Sequence, residues 1–248
     1  MKSILITGCN RGIGLGLVKH LLRLPQPPES IFATCRDVAK AAELKEIADK
    51  SGNVHIIELD VTDTKSYDRV IQIISEKVGE NGLNVLINNA GIANKFARLN
   101  LVKEEQLLDT FKVNTVAPIM LSKACLPLLK QASSIYPDKG AMNISRAAII
   151  HMSSSLGSIT DNTSGGFYPY RCSKSALNAA AKSMSIDLKD DGILVACMHP
   201  GWVRTDMGGI NATLDVDISV SGMLSVLQGL TENDNGTYVQ HDGKVLPW

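Results

Sequence analysis

The chain predicts an α/β fold: a single doubly wound, mostly parallel sheet of seven strands with helices on both faces. Three observations predict it. Short apolar runs alternate with helical patterns along the whole chain. Those runs lack the in–out alternation of half-exposed strands, so both faces of the sheet must be covered. A glycine-rich turn, Gly8 to Gly14, separates the first run from the first helix. With 248 residues, 44% of them hydrophobic, the chain suits one domain spanning 1–248 and can bury a sizeable core.

The elements follow in order. Residues 3–7 form the first strand, and the helix after the glycine turn, 12–23, is stopped by Pro25, Pro27 and Pro28. A second strand at 31–35 precedes a polar helix over 40–49, and a third strand covers 53–59. Thr62 is placed to cap a helix running to about Val78, and 83–88 is the fourth strand. Residues 104–130 read as one long helix that Pro118 should bend or interrupt. The polar stretch 131–145 reads as a surface excursion before a fifth strand at 147–153. A loop rich in Gly, Ser and Thr, 157–167, leads into a helix reaching Asp190. A sixth strand at 193–199, a helix from about Val216 to Gly229 and a short seventh strand at 237–240 complete the pattern.

Composition excludes several classes of function. Acidic and basic side chains balance at 25 each, so the basic footprint of a nucleic-acid binder is missing. Five widely spaced cysteines show no metal or redox spacing and fit a reducing compartment; a cytoplasmic location is expected. No two histidines have metal-ligand spacing, so no metal is expected. The opening apolar run is too short for a signal peptide, and no stretch approaches the ~20 apolar residues of a membrane span.

The glycine turn points to a dinucleotide, as in Rossmann-type sheets. Gly8, Gly12 and Gly14 allow a tight turn, close approach to a pyrophosphate and close helix packing, and the helix N-terminus offers its amides to the phosphates. The second strand ends in Cys35-Arg36 where an acidic residue would select NAD. Arg36 and Arg11 together suit the 2′-phosphate of NADP. Asp37, one position later, keeps NAD as an alternative. Asp60, ending the third strand, and the Val61 amide are placed for the adenine. In Asn88-Asn89-Ala90-Gly91 the small residues let the backbone pass beside a cofactor, and an asparagine amide can pin neighbouring strands.

The catalytic pair is Tyr170 and Lys174. Four positions apart on a helix, they share a face. A cation there lowers the phenol pKa towards neutrality and makes Tyr170 a proton donor to a carbonyl oxygen.

Taken in order, the glycine turn, Asn88 to Gly91, Asn114, Ser154-Ser155-Leu156-Gly157, Tyr170 with Lys174 and Pro200-Gly201 resemble the short-chain dehydrogenase/reductase family over essentially the whole chain. Gly8-Cys9-Asn10-Arg11-Gly12, His199-Pro200-Gly201-Trp202-Val203 and Thr205-Asp206-Met207-Gly208-Gly209 are most similar to its sniffer-type carbonyl reductases and C-factor-like members. The resemblance implies that Tyr170 is the acid, that Lys174 also holds the nicotinamide ribose, and that Ser154 holds the substrate carbonyl. Ser153 and Ser155 are the alternatives one position away. It implies that Asn114 bends its helix and binds a water reaching Lys174. Gly8, Asn10, Arg11, Gly12, Ile13, Asn89, Ala90, Gly91, Pro200, Gly201, Val203 and Thr205 would line the cofactor. His199 reads as a packed histidine rather than a catalyst.

The resemblance implies a substrate lid at 206–217, and that segment is short and contains glycine. Phe96, Leu156, Phe167, Trp202 and Met207 are the expected pocket walls, with no arginine or lysine placed to grip a carboxylate. Small or medium aldehydes, ketones and quinones are the expected substrates, and a homodimer the expected assembly. Two alternatives remain: a regulatory NADP-binding protein whose turnover is incidental, and an NAD-dependent alcohol dehydrogenase.

Overall fold

Strand β1 (Ser3–Ile6) is buried along its whole length, as are β4 (Val85–Asn88), β5 (Ala148–Met152) and β6 (Leu194–His199). Apolar strands of this kind need cover on both sides, and the computed structural model, which describes residues 1–138 and 140–248, supplies it. With β2 (Ser30–Cys35), β3 (Val54–Glu58) and β7 (Tyr238–Gln240), they form one seven-stranded sheet in the order β3-β2-β1-β4-β5-β6-β7. Every pairing is parallel. The expected sheet is therefore met, and is parallel throughout.

Successive residues of each strand feed opposite cores. Ile4, Ile6, Val85, Ile87 and Ile150 pack under α1 (Gly12–Leu22), α2 (Ala42–Lys50) and α7 (Val216–Gly229) through Leu17, Leu21, Leu44 and Val220. Leu5, Phe32, Leu86, Ile149 and Val195 face α3 (Tyr67–Val78), α5 (Ala117–Ile135) and α6 (Tyr168–Asp187) through Val70, Ile74, Leu121 and Ala181. Strand order reverses beside β1, so the loops after β1 and β4 diverge and open a crevice at the carboxyl ends of the strands.

Four local expectations are corrected. Thr62 caps nothing. Its N–H and hydroxyl both donate to Asp60 (2.8 Å each), and Asp63 caps the single turn preceding α3. The long helix is three pieces: α4 (Glu104–Phe111), a π turn at Lys112–Val116, and α5. Pro118 falls in the first turn of α5, where a missing N–H is tolerated, and Pro127 is the proline inside the helix. The 131–145 stretch begins as helix, since α5 runs on to Ile135; Lys139 lies outside the described residues. Finally, α6 ends at Asp187 rather than Asp190, because the chain turns at Leu188 and Gly192 (φ +67°) to enter β6.

Candidate active site

The crevice is built by glycine and asparagine before any charged group enters it. Gly8 (φ +73°) and Gly12 (φ +57°) hold left-handed backbone. A Cβ on Gly14 would stand 2.2 Å from the Gly8 carbonyl oxygen, so α1 can start this close only as glycine. Asn89 stitches β4 to β1: its Nδ2 donates to Thr7 O (2.7 Å), and Thr7 Oγ1 accepts the Asn89 and Ala90 amides (3.0 and 2.9 Å). This is the strand-pinning expected of that asparagine. Gly91 brings bare backbone to Asn114 and Lys174, where a Cβ would lie 3.2 Å from Asn114 Oδ1 and 3.7 Å from Lys174 Nζ. Pro200 and Gly201 (φ +83°) close β6 opposite, and Ser219 Oγ donates to Pro200 O (2.6 Å).

Around the crevice's adenosine end, Arg36 is exposed and Asp37 is already committed. Asp37 caps a single helical turn through Ala39 N–H (3.0 Å) and pairs with Lys40 (2.9 Å); these contacts, Lys40 first, hold its carboxyl below the usual range. Asp60 is likewise kept ionised, first by the Thr62 amide. The Val61 carbonyl is taken by Tyr67 (2.6 Å). Arg11 does not stand free beside Arg36. It forms an ion pair with Asp206 (2.8 Å) that ties the glycine turn to the 206–217 segment. Both partners are exposed, so the pair contributes at most about 1 kcal/mol and can open for a stronger anion. Thr205 overlies Gly12, while its hydroxyl accepts the Gly208 amide (3.1 Å). Val203 is buried and bridges to Leu214.

At the catalytic end the structure separates the three serines. Ser153 turns inward and donates to Asn178 (2.6 Å), while Ser155 starts a helical turn. Ser154 is the serine whose side chain pulls the Tyr170 phenol pKa down against burial, and its Oγ accepts the Leu156 amide (3.2 Å). Lys174 is buried on the same helix face, with Nζ 5.7 Å from the Tyr170 ring centre and donating to Met152 O (2.7 Å). Burial drops the Lys174 ammonium to about 8.

One expectation is reversed. Among the chain's own groups, burial raises the Tyr170 pKa, and Ser154 rather than Lys174 opposes it. The ammonium stands over the Tyr170 ring and spends a hydrogen bond on Met152 O rather than on the phenol.

Asn114 sits in the π turn, fully buried. Its amide brackets Ile92, accepting from N–H (2.9 Å) and donating to O (2.8 Å), and also donates to Ser173 (3.1 Å). The side chain is thus a clamp between the loop after β4 and α6. His199 is buried and its pKa falls to about 4, the behaviour of a packed, neutral histidine.

The mouth gathers some expected walls and leaves others outside. Phe96 and Phe167 meet edge to face at 5.0 Å, over Gly166, where a Cβ would strike the Phe96 ring. Phe167 itself takes a left-handed conformation (φ +51°) to begin α6. Trp202 and Met207 are half exposed, and the Trp202 ring nitrogen is tied to Gly208 O (2.8 Å). A basic group stands beside this aromatic pair, in a cavity that none of Ser154, Tyr170 and Lys174 lines. Arg98 lies 6.0 Å from the Phe96 ring centre and lines a cavity of about 470 Å³ with Gly165, Gly166 and Tyr168. Residues 216 and 217 belong to α7, so the loop part of the 206–217 segment stops at Asp215, which is clamped by Arg204 (2.5 Å).

Sequence reasoning missed Asn178, Arg171 and Tyr238. Asn178 continues the four-residue stripe of Tyr170 and Lys174, a signal that was available. Arg171, buried, donates to Leu156 O (3.4 Å) and Ser164 (2.9 Å) and braces the loop before α6. Tyr238 carried no local signal.

The residues fit a dinucleotide. The crevice runs from the glycine turn to a buried ammonium with donors beyond its one bond to Met152 O, beneath backbone that only glycine allows. Among the described residues, no group of three or more His, Cys, Asp or Glu could hold a metal, and no helix is long and apolar enough to cross a membrane.

Comparison with known proteins agrees with this geometry. The family model for short chain dehydrogenase matches residues 2–213. The structure of carbonyl reductase Sniffer of D. melanogaster superposes with a TM-score of 0.98 at 54% identity, covering 100% of both chains. An NADPH-bound carbonyl reductase from chicken fatty liver superposes at 0.94 with 44% identity, over 100% of this chain and 99% of that one. C-signal of Myxococcus xanthus is 41% identical over 67% of this chain and 93% of its own length.

Proposed function

This chain belongs to the short chain dehydrogenase family, and from that premise we propose that it is an NADPH-dependent carbonyl reductase acting on small or medium aldehydes, ketones and quinones. The observation that carries the reading is the placement of Ser154 and Tyr170 beside buried Lys174, whose Nζ stands 5.7 Å from the Tyr170 ring centre, at the mouth of a glycine-built crevice. Likeness to carbonyl reductases over the full chain, one of them NADPH-bound, supports it.

Bound NADPH supplies the hydride. The rest falls to the chain. Negative charge develops on the substrate oxygen, where the Ser154 hydroxyl and the Tyr170 phenol converge to stabilise it. Tyr170 transfers its proton to that oxygen, completing the alcohol, and is reprotonated from solvent. Lys174 keeps two N–H donors for ribose hydroxyls and thereby sets the nicotinamide end. Asn114 fixes the Ile92 backbone against α6, so both walls of the site move as one. Asn10, Ile13, Gly91, Val203 and Thr205 line the cofactor path, and Asp60 with Val61 meets the adenine.

Cofactor choice rests on Arg36 and Arg11. With Asp37 occupied by its own cap and by Lys40, no acid is left free at that position to favour NAD. NADPH is expected to bind at least tenfold more tightly than NADH, about 1.4 kcal/mol. Arg36→Asp should abolish or invert that ratio. Fluorescence titration of both cofactors measures it, and equal affinities in the wild type would overturn the assignment. NADPH oxidation across a panel of aldehydes, diketones and quinones tests the activity; no turnover with any of them would favour the regulatory reading that likeness to C-signal keeps in view. A homodimer remains our reading of the assembly, supported by exposed Leu108, Val116 and Ile186 on the long helices and the π turn between them.

A further inference from the structure

Ser154 stands at the end of β5, past the last ladder pairing of that strand with β6, Met152 with Met198. Its main chain is nevertheless held. Ser153 N–H donates to Met198 O (2.8 Å), Gly157 N–H donates to Ser154 O (2.6 Å), and the Tyr238 phenol donates to that same Ser154 oxygen. Tyr238 reaches there from β7, two strands away, and is 1% exposed. Burial drives its pKa upward, so the phenol remains a neutral donor.

The ring that makes this contact is itself clamped. Trp248 stacks on Tyr238 with ring centres 5.5 Å apart and planes 23° from parallel. The Trp248 carbonyl accepts the Thr160 amide (3.0 Å) and the Ser158 hydroxyl (3.3 Å), both on the loop leaving the catalytic serine. Leu246 N–H donates to Tyr238 O (2.7 Å), which lays 246–248 back across β7. One short segment thus fixes the ring behind Ser154 and the loop after it.

We propose that Tyr238, seated by Trp248, is a positioning residue that orients the Ser154 peptide so that its hydroxyl meets the Tyr170 phenol and the substrate oxygen. The proposal rests on the reading of Ser154 as the serine that holds the carbonyl. Hydrogen-bond donors stabilise a developing oxyanion only when aimed beforehand, and displacement by about 1 Å can lose about 10²-fold in rate. The phenol touches neither substrate nor cofactor; it acts through the serine.

The test is a double-mutant cycle in full-length protein with saturating NADPH and a reducible diketone. Tyr238→Phe keeps the ring and its stack and is expected to lower kcat about tenfold, with the Kd for NADPH unchanged. In a Ser154→Ala background the same substitution should add no further loss, because the group it orients is gone. A merely structural role would multiply the loss in both backgrounds, and that outcome, or wild-type kcat in Tyr238→Phe, overturns the proposal. If Ser154→Ala alone retains full turnover, the reading of the serine falls first and the positioning role with it. Amide exchange gives a readout without nucleotide: Gly157 N–H, bonded to the oriented carbonyl, should exchange faster in Tyr238→Phe, and unaltered protection counts against the proposal. Should Tyr238→Phe not fold, Trp248→Ala carries the same cycle, with recovery in Trp248→Phe expected and failure to recover counting against the stack.

Discussion

Tyr170→Phe is expected to reduce carbonyl turnover by about 10²-fold or more, the usual contribution of a positioned general acid. That is about 2.7 kcal/mol of transition-state stabilisation. The substitution removes one oxygen. The ring remains in α6, and Ser154 keeps the Leu156 amide as a partner, so the site should not collapse. NADPH affinity should therefore stay near the wild-type value while kcat falls. The phenol's pKa is raised by burial, which keeps Tyr170 protonated and able to donate at neutral pH. Steady-state rates at saturating NADPH decide the matter, and near-wild-type turnover by the variant would sink the mechanism.

Lys174→Met is expected to move activity and stability in opposite directions. The folded protein holds the ammonium near 8 against an ordinary value of 10.5, because burial disfavours the charge. The unfolded chain then binds the proton more tightly, so below pH 8 the buried cation costs about 3 kcal/mol of stability. The cost is relieved as pH rises from about 8 to 10.5. Methionine fills similar volume without charge and loses one hydrogen bond to Met152, a net loss of about 1 kcal/mol. The variant should be more stable at pH 7 by about 2 kcal/mol, a Tm higher by roughly 4–8 °C for a chain of this size. Its advantage should shrink at pH 9.5. Carbonyl reduction should still fall by about 10²-fold, since the ammonium proposed to hold the ribose disappears. Thermal denaturation at the two pH values checks it; a variant less stable than wild type at pH 7 contradicts the argument.

Much of the architecture was legible because burial on both faces forces strands such as Ile4-Leu5-Ile6 and Ile149-Ile150 to be apolar throughout. The glycine turn and the Tyr170–Lys174 spacing were legible because only those residue types satisfy their geometry. What escaped was polar chemistry satisfied inside. Gln131-Ala132-Ser133-Ser134 looks like surface, yet Ser133 is buried, donating to Asp191 O (2.5 Å) and accepting from Arg146 (2.8 Å), so α5 continues through it. The π turn was hidden because Lys112 to Val116 has ordinary helical composition; its cause is the Asn114 clamp on Ile92 and Ser173, a contact between distant segments. Tyr238 reads as one more apolar strand residue until the strand order places it behind Ser154. Arg11 misled because its partner, Asp206, is nearly the whole chain away.

The reversal of strand order beside β1 has a consequence for biogenesis. β1 pairs with β2 on one side and with β4 on the other, Ile4 standing beside Val85. A ribosome that has delivered β1, β2 and β3 has produced the glycine turn but left the far edge of β1 bare. That edge is apolar and unpaired, the type that recruits foreign strands. It stays open until β4 emerges and a long loop closes, a slow, non-local step. Ser154 and Tyr170 arrive later still, and Tyr238 after both. The open edge then passes from β1 to β4, and on to β5 and β6 as each docks, so the growing sheet carries a bare edge until β7 arrives, and chaperone binding protects this fold through most of its synthesis.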